Sequence, residues 1–234
     1  MKKIIITAGG TSEKIDNVRK ITNSSSGKLG MIIANHILEK EEDIIIYYIC
    51  SKDSYKPNDS RVKIITIDGT IDLKNKIEYL LINEKIDIFI HSMAVSDYTT
   101  DFVTTLDKIT SELTNNGNLN NLECFKESKI SSDEENLVIV LKPTPKIISL
   151  IKSISPKTTL VGFKLLDNVS KNELINVAKK LRDKNNCDIV VANDLSTIRN
   201  GNHIAYLIDR EDAIVEARGK DNIAKKLVKK LFLY

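Results

Sequence analysis

The chain has 234 residues, enough for one large domain or two small ones, and 41% of them are hydrophobic, which is sufficient for a buried core. Its formal net charge of +3 at pH 7 falls short of the basic excess that nucleic-acid-binding proteins carry. The 3 cysteines have no Cys-x-x-Cys or Cys/His spacing, which argues against zinc and disulfides, and no apolar segment has the length of a membrane span. These features predict a cytoplasmic protein that binds neither nucleic acid nor membrane.

Short apolar runs alternate with helical patterns along the chain, as in a parallel sheet covered by helices. The first run, residues 4–7, predicts a strand that ends in a Gly-Gly turn, and an apolar period of helical type begins after Gly27. Further strands are predicted at 44–49, 62–67, 86–90, 138–141, 159–163 and 188–192. Further helices are predicted at 71–82, 145–154, 169–184 and around 223–231.

Two later segments depart from this rhythm. Residues 203–217 hold two apolar runs around a turn at 210–212, which predicts a late antiparallel hairpin. Residues 99–136 are polar and turn-rich, which indicates a long irregular arm; we interpret it as a lid or a dimer arm, with a disordered insertion as the alternative. No linker divides the chain. We therefore predict one domain, 1–234, with an α/β fold and a Rossmann-like, mostly parallel sheet with flanking helices.

The residues between the first strand and the first helix indicate an anion-binding site. Gly9-Gly10-Thr11 follows the strand, and a glycine-rich turn there lets a ligand approach backbone N–H groups closely. Four polar side chains, 23–26, precede Gly27 and Lys28, although one helix cap needs only one side chain. Hydroxyls and free N–H groups at a helix start, with cations nearby, suit phosphate or carboxylate. A plain tight turn and ordinary capping are the alternatives.

A long motif runs through this region: Gly9-Gly10-Thr11-x-Glu13-x-Ile15-Asp16-x-Val18-Arg19-x-Ile21-Thr22-Asn23-x-Ser25-Ser26-Gly27-Lys28-x-Gly30. Shorter blocks follow in order at 93–98, 129–132, 143–147, 161–164 and 191–196. With these blocks the chain resembles the phosphopantothenate–cysteine ligases of coenzyme A biosynthesis over nearly its whole length. The first block is long enough to be specific, whereas each of the others would be weak alone.

The resemblance implies a ligase that joins 4′-phosphopantothenate to cysteine in two steps. The carboxylate attacks the α-phosphate of a nucleoside triphosphate and releases pyrophosphate, which leaves an acyl-nucleotidyl anhydride. The amine of cysteine then attacks the anhydride and expels the nucleoside monophosphate. Because two anions must meet, Mg²⁺ and cationic side chains are expected to offset their repulsion. CTP is favoured over ATP as the co-substrate, and the protein ligands of the metal are unknown.

The resemblance also implies roles for individual residues. Asn23 matches the asparagine that sits over the acyl-nucleotidyl intermediate, and Arg19 and Lys129 are the accompanying catalytic candidates. The substrate phosphate is expected to be bound by residues of the glycine turn and the serine-rich turn: Gly9, Gly10, Thr11, Ser24, Ser25, Ser26, Gly27 and Lys28.

The nucleotide site is implied by matches in the later blocks. Its expected residues are Ala94, Asp97, Thr144, Pro145, Lys146, Ile147, Phe163, Lys180 and Lys184. Among them, Pro145 suits the first position of a helix, Phe163 matches a residue that contacts the base, and the two last lysines match a pair that faces the triphosphate. That last match assumes a one-residue insertion before Asn193.

One position departs from the bacterial two-domain pattern, in which a lysine that assists catalysis aligns with Ser131 of this chain. Lys129, Lys126 or Lys164 is expected to supply the missing charge. The departure keeps open a non-catalytic nucleotide-binding subunit of a coenzyme A pathway complex. A nicotinamide-dependent reductase is a weaker alternative, because the Gly-x-Gly-x-x-Gly fingerprint is absent from the sequence.

The resemblance further implies a homodimer. In many bacteria the ligase follows a flavin-dependent decarboxylase domain on one polypeptide, whereas the ligase strand here starts at residue 3. We therefore expect a free-standing ligase with a separate decarboxylase as a partner.

Overall fold

The computed structural model describes residues 1–126 and 128–232, which contain twelve strands and seven helices. The strands are β1 (Lys2–Ala8), β2 (Ser12–Lys14), β3 (Lys20–Thr22), β4 (Ile44–Ser51), β5 (Val62–Ile67), β6 (Ile88–His91), β7 (Tyr98–Thr105), β8 (Leu137–Pro143), β9 (Thr159–Leu166), β10 (Ile189–Asp194), β11 (Ile204–Asp209) and β12 (Ile214–Arg218). The helices are α1 (Lys28–Lys40), α2 (Thr70–Asn83), α3 (Leu106–Asn116), α4 (Ile147–Ile154), α5 (Lys171–Asn185), α6 (Leu195–Arg199) and α7 (Lys220–Leu231).

In the described residues the central sheet has eight strands in the order β5-β4-β1-β6-β9-β10-β11-β12. The first six run parallel, and β11 and β12 add an antiparallel edge. The strand order reverses at β1, because β4 and β5 lie on one side of it and β6, β9 and β10 on the other. In such sheets ligands bind beyond the carboxyl ends of the strands at the point of reversal, here the loops after β1 and β6.

Both faces of the central sheet are covered by helices, which explains why its inner strands are apolar without alternation. Ile4, Ile5 and Ile6 on β1 are all fully buried, although consecutive side chains point to opposite faces. Helices α1 and α7 pack on one face, and α2, α4 and α5 pack on the other. The predicted α/β fold is confirmed, including the late hairpin formed by β11 and β12.

The segment 99–136 is more regular than the sequence indicated. It contains most of β7, which pairs antiparallel with β8, and the helix α3 between them. The predicted strand 138–141 lies in β8, so it belongs to this separate two-stranded sheet and not to the central one. We call residues 98–143 the β7–β8 arm. Its regular structure was missed because α3 buries no residue and the threonines of β7 give no strong apolar alternation.

A small hairpin, β2 with β3, is also present in the loop between β1 and α1. It was not predicted because three-residue strands are too short for a periodic signal. Within the part of the chain that the structure describes, no helix combines the length and apolar character needed to cross a membrane.

Candidate functional site

The loops after β1 and β6 are joined by backbone hydrogen bonds at the carboxyl edge of the sheet. The N–H of Ala94 donates to the carbonyl of Gly9 at 2.9 Å, and the N–H of Thr11 donates to the carbonyl of Ala94 at 3.1 Å. These contacts extend the parallel pairing by one bridge, between Gly10 and Ala94. The point at which the strand order reverses is therefore closed by two connected turns, and both contain residues that the sequence singled out.

Three glycines allow the chain to fold tightly onto this edge. Gly9 and Gly27 have φ of 86° and 73°, in the left-handed region that favours glycine. A Cβ atom on Gly27 would lie 3.0 Å from the amide nitrogen of Gly9, and one on Gly10 would lie 2.0 Å from the carbonyl oxygen of Asn23. Glycine at these positions lets the segment 23–27 lie directly against the turn after β1. We call residues 9–28 the glycine–serine loop.

The amino terminus of α1 opens onto this loop without a side-chain cap. Its N-cap is Gly27, and its first turn carries no acidic residue among those described. The hydroxyl of Ser26 accepts only a long hydrogen bond, 3.4 Å, from the N–H of Lys28, and Ser24 and Ser25 are exposed. Lys28 adds a positive charge, with its Nζ 5.8 Å from the ring centroid of Tyr55. Uncapped N–H groups, hydroxyls and an ammonium at a helix start form an anion-binding arrangement.

Asn23 and Thr11 are held together, but they face different surroundings. The N–H of Asn23 donates to the carbonyl of Thr11 at 3.1 Å, and the Asn23 side chain is half-buried beside Gly10. The hydroxyl of Thr11 is fully buried and accepts from the N–H of Ser96 at 2.9 Å. Thr11 therefore connects the glycine–serine loop to the loop after β6 and does not present its hydroxyl to a ligand.

Arg19 is half-buried and tied to the β7–β8 arm. Its guanidinium donates to the carbonyl of Ile130, and its Nε lies 3.2 Å from Oδ2 of Asp16. Oδ1 of Asp16 accepts from the N–H groups of Val18 and Arg19, both at 2.7 Å, and Oδ2 accepts from the N–H of Ile130 at 3.3 Å. The backbone N–H of Arg19, with the other N–H donors, holds the pKa of Asp16 below its ordinary value. Sequence reasoning assigned Asp16 no role of its own.

The same contact places Lys129 near the glycine–serine loop. Its neighbour Ser128 accepts from the N–H of Asn17 at 2.9 Å, and its other neighbour, Ile130, is bonded to Asp16 and Arg19. Ile130 is 2% exposed, whereas Lys129 is exposed. The structure thus brings two of the three predicted catalytic residues, Arg19 and Lys129, to one side of the loop that holds the third.

Part of the predicted nucleotide site assembles at the same edge. The N–H of Thr144 donates to the carbonyl of Asp97 at 3.0 Å, and the Thr144 hydroxyl donates to the carbonyl of Ser96 at 2.5 Å. Nζ of Lys146 forms an exposed ion pair with Asp97 at 2.5 Å. Lys146 is the N-cap of α4, and Ile147, the first helical residue, is buried. The expectation that Pro145 is the first residue of the helix was wrong, because it precedes the N-cap.

Phe163 lies at the carboxyl edge of the central sheet, whereas Lys180 and Lys184 lie toward its amino edge. Phe163 is half-buried on β9, one residue beyond the last position at which β9 pairs with β6, and so belongs to the carboxyl edge. Helix α5 instead leads away from that edge, because it connects the end of β9 with the start of the parallel strand β10. Lys180 and Lys184 lie on its second half and are exposed.

The contacts of the neighbouring residues confirm this placement of the lysine pair. Lys179 forms an ion pair with Asp212 in the turn between β11 and β12, at the amino ends of the parallel strands, and Arg182 donates to the carbonyl of Asp209 there. The structure therefore does not bring Lys180 and Lys184 to the Asp97–Thr144 cluster. The sequence match could not show which edge of the sheet these lysines approach, because it aligns positions along the chain and contains no information on the direction of α5.

A buried histidine lies under the site. His91 ends β6, is 7% exposed, and its Nδ1 lies 2.8 Å from the hydroxyl of Thr7. Burial lowers the pKa of His91 to about 4, so it is neutral near pH 7. A neutral ring that is hydrogen-bonded to a threonine of β1 is consistent with a structural role beneath the site.

The described residues contain no group of three or more His, Cys, Asp or Glu side chains that could hold a metal ion. Mg²⁺ bound with nucleotides usually keeps several waters and uses phosphates with one or two carboxylates. The carboxylate in the Thr144 cluster is Asp97, and it is paired with Nζ of Lys146.

Together, the strand order, the glycine turn and the uncapped helix define a class of protein: a Rossmann-like α/β domain with an uncapped helix start at the point of strand reversal. The chain matches the family model for the C-terminal domain of DNA/pantothenate metabolism flavoproteins over residues 1–123 and 120–233. It belongs to this family. The family-level resemblance read from the sequence is thereby confirmed.

Similar proteins carry related descriptions. The chain is 32% identical, over 91% of its length, to a coenzyme A biosynthesis bifunctional protein CoaBC from Thermococcus kodakarensis, and 30% identical, over 98%, to one from Methanocaldococcus jannaschii. It spans about half of these relatives, 46% and 50% respectively. The crystal structure of a DNA/pantothenate metabolism flavoprotein from Streptococcus pneumoniae matches it with a TM-score of 0.88 at 37% identity, covering 100% of this chain and 99% of that one.

A more distant structure shares the fold. It is a Cab2 mutant solved in complex with phosphopantothenate-cysteine, with 18% identity and a TM-score of 0.68, covering 98% of this chain and 86% of that one.

Proposed function

We propose that the chain joins 4′-phosphopantothenate to cysteine through an acyl-nucleotidyl intermediate. The observation that carries the proposal is the glycine–serine loop, in which Asn23 lies beside an uncapped helix start at the point of strand reversal. The family membership and the relatives described as coenzyme A biosynthesis proteins give this anion site its substrate class.

The substrate phosphate would bind at the start of α1, where the free N–H groups and Lys28 offer donors and positive charge. Gly9 and Gly10 would let the pantothenate portion approach the backbone closely. Bound in this way, the substrate would extend along the loop. The carboxylate of the substrate would then reach the part of the loop that carries Asn23 and Arg19.

The chemical steps need donors that stabilise negative charge as it develops. The carboxylate attacks the α-phosphorus, the bond to pyrophosphate breaks, and pyrophosphate leaves with the electron pair. The cysteine amine then attacks the acyl carbon, loses a proton to solvent, and the nucleoside monophosphate leaves. The Asn23 amide would donate to the acyl oxygen without adding charge, and Arg19 and Lys129 would offset the charge of the phosphoryl oxygens.

The nucleotide would lie against Ala94, Asp97, the 144–147 turn and Phe163, which share the carboxyl edge. Mg²⁺ would reduce the repulsion between triphosphate and carboxylate, held mainly by phosphate oxygens with Asp97 as its protein carboxylate. CTP is the preferred nucleotide in this proposal, with ATP as the alternative. Lys180 and Lys184 are left out of the proposed triphosphate site because of their position on α5.

The proposed assembly is a homodimer in which the β7–β8 arm contacts a second copy. Helix α3 buries no residue within the described chain, and large apolar side chains of the arm are exposed. The exposed fractions are 55% for Tyr98, 50% for Leu106, 46% for Leu113, 44% for Leu119 and 43% for Leu141. An apolar surface of this kind on a projecting hairpin is typical of an interaction site. A separate decarboxylase is a further proposed partner.

The proposal is tested by assaying the purified chain with CTP or ATP, 4′-phosphopantothenate, cysteine and Mg²⁺. We expect pyrophosphate release that requires phosphopantothenate, and amide product that also requires cysteine, with a higher kcat/KM for CTP than for ATP. Pyrophosphate release would exclude the non-catalytic nucleotide-binding alternative, which Ser131 keeps open. Absence of release with both nucleotides would overturn the ligase proposal, and a higher kcat/KM for ATP would overturn only the nucleotide preference.

A further inference from the structure

The β7–β8 arm is hydrogen-bonded to its own glycine–serine loop at residues 128–130. Three hydrogen bonds join residues 128–130 to the turn 16–19: Asn17 N–H to the Ser128 carbonyl at 2.9 Å, Ile130 N–H to Asp16 Oδ2 at 3.3 Å, and the Arg19 guanidinium to the Ile130 carbonyl. Within the turn, Nε of Arg19 also pairs with Asp16. The contact joins residues more than a hundred positions apart, and Ile130 is 2% exposed within it.

The geometry of this contact places a single lysine between two fixed points. Ser128 and Ile130 are bonded on either side of Lys129, so the backbone at Lys129 has little freedom while its side chain is exposed. Lys126 lies outside the contact, and Lys164 is on β9 in the central sheet. Of the three lysines that could replace the family lysine at Ser131, only Lys129 is held directly by the glycine–serine loop.

Asp16 is the residue on which the contact depends. Its two carboxylate oxygens make different contacts. Oδ1 accepts from the N–H groups of Val18 and Arg19 and so forms the local turn. Oδ2 accepts from the N–H of Ile130 and pairs with Nε of Arg19. Its side chain is almost fully buried. A carboxylate is required because Oδ2 faces two donors from different segments, which an amide nitrogen at that position would oppose.

We propose that Asp16 is a positioning residue that holds Lys129, and with it Arg19, at the reacting groups of the ligase. This inference rests on the proposed function and deepens it, because it names the lysine that supplies the missing charge and the residue that orients it.

The test is a double-mutant cycle with Asp16→Asn and Lys129→Gln in the full chain. Asparagine can keep the local turn through its oxygen, but its amide nitrogen would face the N–H of Ile130 and Nε of Arg19 and break the contact with the arm. Each single variant should lower kcat about tenfold with little change in KM for the nucleotide, and the double variant should be no slower than the slower single variant. Losses that multiply would overturn the proposal.

A matched control is available in Asp59→Asn. Asp59 also accepts from a backbone N–H and a guanidinium, both of Arg61, and Arg61 donates to the carbonyl of Glu41 beyond the end of α1, away from the site. This variant should leave kcat unchanged. Asp16→Glu, which retains both oxygens and the charge, should be more active than Asp16→Asn, and the opposite order would contradict the positioning role.

Hydrogen exchange separates this inference from the proposed function. The amides of Asn17 and Ile130 should exchange about tenfold faster in Asp16→Asn than in the unmodified chain, while Asp59→Asn leaves them unchanged. If the unmodified chain makes no amide, the proposed function fails although the exchange result stands. If the unmodified chain is active and the cycle is additive or the exchange rates do not change, the positioning role of Asp16 fails alone.

Discussion

Two segments leave the carboxyl edge of the sheet and are held to it in different ways. The glycine–serine loop is held at several points by contacts to the loop after β6 and to the segment after β4, and its closest approaches require glycine. Residues 20–22 and 24–26 within it are exposed. The β7–β8 arm is joined by its strand ends and by residues 128–130, and its helix α3 buries nothing in the described chain. The loop is therefore held at more points than the arm, and the exposed apolar side chains of the arm are those that a second copy would cover in the proposed dimer.

The largest effect is expected at Asn23, in the glycine–serine loop. Asn23→Asp places a negative charge where the amide would donate to the acyl oxygen, so amide formation should fall by about 100-fold or more. Nucleotide binding should persist, because the Thr144 cluster is unchanged. Rapid-quench measurement of pyrophosphate and amide product separates the two steps. Asn118→Asp, in the exposed part of the arm, is the control; normal amide formation in Asn23→Asp would remove Asn23 from the mechanism.

The second effect concerns residues 128–130, where the arm is hydrogen-bonded to the loop. Lys129→Gln should lower kcat roughly tenfold through loss of a cation near the phosphoryl oxygens. Lys126→Gln and Lys164→Gln, measured in parallel, should retain nearly full kcat, since neither lysine is held at the contact. An equal loss in all three variants would mean that the positive charge acts as a diffuse field and is not positioned.

The buried His91, which lies under the glycine–serine loop, should make the free energy of unfolding depend on pH. His91 titrates at about 4 in the folded chain against an ordinary value of 6.5, so the unfolded chain binds more protons between these values. Stability should fall by about 3 kcal/mol as the pH decreases from above 6.5 to about 4. Urea unfolding at several pH values measures this slope, and His91→Gln should reduce it.

A second buried histidine also bears on that experiment. Burial also lowers the pKa of His203 to about 4, so a remaining slope in His91→Gln is expected. A slope that is identical with and without His91 would show that this residue does not titrate differently in the folded chain.

Glycine substitutions test the contrast between the two segments directly. Gly10→Ala would bring a Cβ to within 2.0 Å of the Asn23 carbonyl, so the backbone of the loop must move. We expect a loss of about 1–3 kcal/mol in the free energy of unfolding and a higher KM for phosphopantothenate. At Gly117, at the end of α3, an added Cβ would meet no atom of another segment within 4 Å. Gly117→Ala should therefore strain only the arm and leave the KM for phosphopantothenate unchanged. Equal effects on KM would remove the distinction.

The smallest effect on stability is expected for the exposed side of the arm. Leu113→Asp should change the free energy of unfolding of the isolated chain by less than about 0.5 kcal/mol, as is usual for surface substitutions. It should nevertheless shift a dimer toward monomers in analytical ultracentrifugation, because a charge would enter the apolar interface. Ser111→Asp, with an added charge on the same helix, is the control. An unchanged dimer in Leu113→Asp would mean that α3 does not form the interface.

Much of the fold followed from the sequence, because its signals are local. The apolar runs of β1 and β4, the helical period of α1 and α2, and the turn of the late hairpin each lie within one short window. The glycines and serines of the glycine–serine loop were also informative, since backbone freedom and helix capping are properties of neighbouring residues. What the periodicity missed were β2, β3, β7, α3 and α6, which bury few or no apolar side chains, whereas the apolar run 138–141 did indicate β8.

The tertiary structure alone decided which of the predicted site residues meet. The sequence placed Lys180 and Lys184 in the nucleotide site, but the direction of α5 carries them toward the amino ends of the strands. It gave Thr11 to the substrate, yet the fold buries that hydroxyl against Ser96. It assigned nothing to Asp16, whose partner Ile130 is 114 positions away. Such contacts depend on how strands and helices are oriented after packing, and no local pattern of residues contains that information.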